Sequence, residues 1–129
     1  MTTAALLATA LLFGGMVLDA FGFAAFLFTA LPAQVAGPTI RRAFPHFYTF
    51  VIATATLAAL LVWPTDPLGA LLLAGIAVST LPTRQILIPG INTATDRGLK
   101  TRFPWLHGLS VAVTLAHIAH AGFVFVRIL

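Results

Sequence analysis

Cysteine is absent from this 129-residue chain. That excludes a disulfide framework, a thiolate metal site and a cysteine nucleophile, and it leaves the redox compartment open. Charge is scarce as well. Charged residues make up 8% of the sequence, where about a quarter is usual for a soluble domain. Ten charged side chains cannot cover the surface of a water-soluble fold of this length. A soluble enzyme, a nucleic-acid binder and a disordered tail are therefore excluded. No phosphate loop, catalytic triad or paired carboxylates occur, so the expectation is a non-catalytic protein without a cofactor.

What the chain has instead is 60% hydrophobic residues, and they fall into long runs. Four candidate spans, about 4–31, 46–63, 68–88 and 104–128, are each near the ~20 residues a helix needs to cross hydrocarbon. Proline marks the boundaries between them: Pro32, Pro38 and Pro45, then Pro64 and Pro67, then Pro89 and Pro104. A transmembrane barrel would need alternating apolar and polar strands, and stretches such as 4–13 and 69–78 do not alternate. The N-terminal run lacks the basic flank of a signal peptide and is about twice the usual length of its apolar core, so it reads as a span. The expected fold is all-α: one transmembrane domain over 1–129, an integral membrane four-helix bundle with antiparallel up-down topology.

Net charge is +4, and its placement matters more than its sum. Arg41 and Arg42 lie in the first connection. Arg97, Lys100 and Arg102 lie in the third, with Arg84 just before it. The positive-inside rule puts these six in the cytoplasm and both termini on the periplasmic side of a bacterial inner membrane. Arg127, near the C-terminus, is the one dissenter. Aromatic residues at the span ends (Phe44, Phe47 and Tyr48, then Trp63, Phe103 and Trp105) suit the headgroup region.

Asp19 is the costliest residue in the chain. It sits near the middle of the first span, where an ionised carboxylate costs about 3 kcal/mol or more. It must be neutral, paired or facing a polar interior. Ala8, Gly15, Gly22 and Thr29 recur every seven residues on the same helix, a narrow strip that invites close approach by another helix. Asp19 lies one turn from both glycines, so it is expected in a helix contact, either as a proton or ligand site or as interhelical glue.

His117 and His120 occupy adjacent positions on the fourth span, His117 at about the depth of Asp19. An Asp–His contact there would make a proton relay or a metal pocket, with Met16 the only nearby soft donor; plain hydrogen bonding is the alternative. Two donors and a carboxylate fall short of a metal site, so no metal is expected. His46 and His107 lie at similar depth on different helices, the arrangement of axial haem ligands, although nothing else in the chain demands haem. Arg84 can snorkel to the interface, and Asp96 is expected to pair with Arg97 or Arg102. Thr49, Thr54, Thr56, Ser79, Thr80, Ser110 and Thr114 read as helix–helix hydrogen bonders.

The stretch from Phe21-Gly22-Phe23 to Leu31-Pro32, then Gly37, Phe44-Pro45 and Tyr48, resembles the first half of the transmembrane protein 205-like family. Pro89, Asn92 and Asp96, followed by His107-Gly108-Leu109-Ser110 and Gly122, resemble its second half. The resemblance implies four transmembrane helices and an unassigned activity, with eukaryotic members associated with drug resistance and vesicle traffic. Thr114 stands where that family tends to have Asn, and His117 and His120 lie outside its pattern. The layout is also similar to copper-resistance D-type membrane domains.

These observations lead first to an accessory subunit that packs against a larger membrane complex, because short loops leave little extramembrane surface. The alternative is a small-solute, metal or proton transporter or resistance protein using Asp19 with His117 and His120. A haem-binding bundle is the third reading. The expected partners are the lipid bilayer and other membrane subunits, with no nucleic acid.

Overall fold

The computed structural model describes residues 2–129. Four helices, α1 (Thr3–Ala30), α2 (Ala33–Val62), α3 (Pro67–Asp96) and α4 (Arg102–Ile128), run up and down as an antiparallel bundle. Each is 27 to 30 residues long. At 1.5 Å per residue that is roughly 40–45 Å, longer than the ~30 Å hydrocarbon core of a bilayer. Consecutive helices pack on one another, and α4 closes the ring against α1.

The helices reach further than the span boundaries read from proline. α2 begins at Ala33 and continues through Pro38 and Pro45, and α3 continues through Pro82 and Pro89 to Asp96. Proline removes one backbone donor, and in a long apolar helix the neighbouring turns absorb that loss. Pro82 leads directly into a π-helical turn, Thr83–Leu87, which does so in α3. A second π-helical turn, Leu18–Phe23, interrupts α1. Pro32 and Pro67, by contrast, stand at helix starts, where no donor is lost.

The connections are tight. Leu31 and Pro32 alone reverse the chain between α1 and α2. α3 ends in a Schellman turn: Leu99 donates to the Ala94 carbonyl (2.9 Å) and Gly98 to the Thr95 carbonyl (3.2 Å). Gly98 has φ +64° there, a conformation glycine adopts without cost.

The main dry cluster of the core lies in one half of the bundle. Ala5, Ala8, Leu12 and Met16 of α1 meet Val51, Ala55, Ala58 and Val62 of α2, with Leu73, Ile76, Ala77, Ala121 and Val124 completing it. Spacings of three and four residues and the many alanines bring the backbones close, as membrane helix contacts require. Toward the end that carries Arg41, Arg97 and Lys100, packing loosens. In α4 the only buried residues are Ala121, Val124 and Ile128, so its first two-thirds pack less closely than its end.

Charges cap the two ends differently. Arg127 grips Asp66 through Nε (2.7 Å) and a terminal nitrogen (3.2 Å), so the dissenting arginine is neutralised by the α2–α3 turn. At the other end Asp96 pairs with Arg41 of α2 at 2.9 Å, and not with Arg97 or Arg102. The Schellman turn carries the chain away from Asp96, whereas α2 lies alongside it. Arg84 reaches the Pro45 carbonyl (3.2 Å) and the Gln85 side chain (3.0 Å). The end bearing six basic residues therefore keeps a large excess of positive charge.

Candidate functional site

Asp19 sits inside the π-helical turn of α1, partly buried. A π turn inserts one extra residue and rotates everything after it by ~100°. The seven-residue strip is broken there. Ala8 is buried and Gly15 faces Phe50 of α2, where an added Cβ would come within 2.6 Å of the ring. Gly22, within the turn, faces Leu18 of its own helix. Asp19 consequently does not enter a close helix contact. It opens into a cavity of about 280 Å³ in the loosely packed half.

All four helices wall this cavity. α1 supplies Asp19, Phe21 and Phe28; α2 supplies Phe44, Phe47 and Tyr48; α3 supplies Asn92; α4 supplies His107, Ser110 and Thr114. The Tyr48 hydroxyl faces the Thr114 side chain, and Asp19 is close enough to interact with Tyr48 electrostatically. Asp19 itself has no hydrogen bond or ion pair with any described residue. Its oxygens are accessible from the cavity, since no buried side-chain polar atom among the described residues lacks a partner. The final stretch of α1, Ala24–Ala30, packs against α2 and makes few close approaches to α4, which leaves a gap between α1 and α4 beside the cavity.

The histidines divide among different places. His117 does not meet Asp19. Its Nε2 lies 2.7 Å from the Ser79 hydroxyl of α3, in a separate cleft of about 360 Å³ shared with His120. Ser79 also donates to the Gly75 carbonyl at 2.7 Å, and a hydroxyl has one proton. His117 Nε2 is then the donor, and its Nδ1 carries the lone pair. His120 donates from Nδ1 to the Ala116 carbonyl at 2.6 Å, within its own helix. The separation from Asp19 has a simple cause: His117 and His120 lie on the face of α4 toward α3, whereas Thr114 faces α2. His107 lines the Asp19 cavity and stacks on Phe103 (5.5 Å between ring centres), while His46 is exposed and outside it. The pair does not converge on one haem-sized cleft. Among the described residues, no three His, Asp or Glu side chains come together.

Several cavity residues carry a signal that single-residue reading passes over. His107, Ser110 and Thr114 recur at three- and four-residue spacing, one polar stripe on α4. Phe44, Phe47 and Tyr48 form an equivalent aromatic stripe on α2. Because α2 begins at Ala33, these rings lie well inside the helix, and Tyr48 is buried. The remaining hydroxyls mostly turn inward on their own helices: Thr54, Thr56 and Thr80 bond carbonyls four residues back at 2.6–2.7 Å. That carbonyl is always within reach, so it wins over a partner across the bundle.

No curated protein and no solved structure matches the chain. Residues 7–100, which take in most of α1 and all of α2 and α3, match a family described as Domain of unknown function (DUF4149). The matched region holds Asp19, Tyr48 and Asn92 and ends before His107, Ser110 and Thr114. With four apolar membrane-crossing helices and a match over most of its length, the chain belongs to the DUF4149 family.

Proposed function

We propose that this protein binds and moves a small amphipathic solute, with Asp19 as the polar anchor of the site. One observation carries the reading: an unpaired carboxyl, in the half of the bundle where packing is loose, opens into a cavity walled by all four helices. A carboxyl in that setting is expensive and is commonly kept for function. Aromatic walls with a single acidic group suit a compact apolar solute bearing a positive charge or a hydrogen-bond donor. The gap between α1 and α4 offers a route from the membrane that avoids the basic end. His117 and His120 have no part in this site.

The basic end is assigned to the cytoplasm and both termini to the periplasmic side of a bacterial inner membrane. The excess of Arg and Lys at one end supports this orientation, strengthened by the pairing of Arg127 with Asp66 at the other. The resemblance to the transmembrane protein 205-like family is in keeping with a membrane activity of this kind. The test is uptake of radiolabelled benzyltrimethylammonium into proteoliposomes. Wild-type protein should accelerate uptake over empty vesicles, and Asp19→Asn should abolish the gain. Equal flux through both proteins would contradict the role given to Asp19.

A second reading, an accessory subunit, is supported by the absence of buried residues in the first two-thirds of α4, which leaves that helix free to pack laterally. Purification in mild detergent tests it. A stoichiometric membrane partner would support it, and a monodisperse monomer would count against it.

A further inference from the structure

A larger hollow lies elsewhere, a groove of about 650 Å³ on the outer side of the α3–α4 seam. On α3 it runs from Ser79 to Ala94. At 1.5 Å per residue that stretch rises by ~22 Å, enough for the ~15 Å hydrocarbon depth of one leaflet and part of the interface. The π-helical turn Thr83–Leu87 and the side-chain-free Gly90 shape its floor. At Gly90 an added Cβ would lie 3.6 Å from Leu106 of α4. The walls are aliphatic, and Arg102 is the one charged residue among them.

Arg102 stands at the first turn of α4 and makes no ion pair with any described residue. Trp105, one turn on, is 80% exposed, and an exposed Trp at the end of an apolar helix suits headgroup depth. Lys100 and Arg97 in the adjoining connection add positive charge beside it. We propose that the groove is a binding site for one anionic phospholipid, its acyl chain along α3 and its phosphate on Arg102. A mostly apolar groove with an unpaired guanidinium at one end matches both halves of such a molecule. A zwitterionic lipid would fill the same slot but bring a cation of its own toward Arg97 and Lys100. This site is independent of the Asp19 cavity, which lies on the inner face of the bundle.

Native mass spectrometry of delipidated protein in detergent tests the proposal, using phosphatidylglycerol and phosphatidylcholine with identical acyl chains. Wild-type protein should retain phosphatidylglycerol better by on the order of tenfold, about the worth of one charge-assisted contact. Arg102→Gln should erase that preference while leaving weak retention of both lipids. Gly90→Leu, which fills the floor, should lower retention of both. Equal retention of the two lipids by wild-type protein, or a preference that survives Arg102→Gln, would overturn the proposal. Competition by glycerol phosphate alone would overturn it too, because the acyl groove would then be idle.

Discussion

At the scale of single residues, the pair Asp66–Arg127 has the most definite chemistry. The Arg127 guanidinium bonded to Asp66 holds its carboxyl below the usual carboxylate range, and the amides at the start of α3 add to the effect. A carboxyl lowered on folding stabilises the native state above its unfolded value of about 4, and that contribution is lost as pH falls through the lower folded value. Thermal unfolding in detergent should therefore show a loss of stability in acid that is reduced in Arg127→Gln. An identical acid profile in both proteins would refute the linkage. Gly69 is part of the same arrangement: a Cβ there would come within 2.6 Å of Asp66 Oδ2 and 3.2 Å of Val124. Gly69→Val should lower the melting temperature more than Gly75→Val, since Gly75 has open space beside it. Asp19 was conspicuous in the sequence because no composition argument excuses a charge at mid-span. The cavity around it was not, because Thr114 and Tyr48 are ordinary residues until the helices place them beside it.

At the scale of elements, the four helices were legible from hydrophobic run length, whereas their ends and their irregular turns were not. Proline reads as a boundary in water-soluble helices, yet α2 and α3 pass through four of them because helix is the only way to satisfy a backbone in hydrocarbon. The π-helical turn in α3 follows Pro82, whereas the one in α1 has no such local mark, and it decides which face Asp19 takes. An insertion of this kind defeats any seven-residue pattern drawn across it. The Schellman turn at Gly98 is the clearest local requirement: Gly98→Ala should destabilise the fold by about 1 kcal/mol, read as a shift in the unfolding midpoint, with no effect on the Asp19 cavity. Asp96 was expected to pair locally and instead ties α3 to α2. Sequence separation says little about neighbours in an antiparallel bundle.

At the scale of the whole molecule, the protein is tightly packed at the end with Asp66 and Arg127 and open at the basic end. The dry half gives rigidity, and the open half supplies both the Asp19 cavity and the outer groove. The orientation proposed from the charge excess is testable: a C-terminal reporter active only in the periplasm should be active and one active only in the cytoplasm silent, and the reverse result would invert the assignment. The absence of cysteine makes the central claim directly measurable, since any thiol introduced is the only one present. Thr114→Cys places a thiol in the cavity and Ala121→Cys places one in the dry core. The decisive measurement is the rate at which each reacts with a cationic and an anionic methanethiosulfonate of similar size. The account predicts that Thr114→Cys reacts while Ala121→Cys does not. It also predicts that the cationic reagent is faster by on the order of tenfold, and that Asp19→Asn removes this preference. A thiol at position 114 as inert as the one at 121, or a charge preference unchanged by Asp19→Asn, would contradict it.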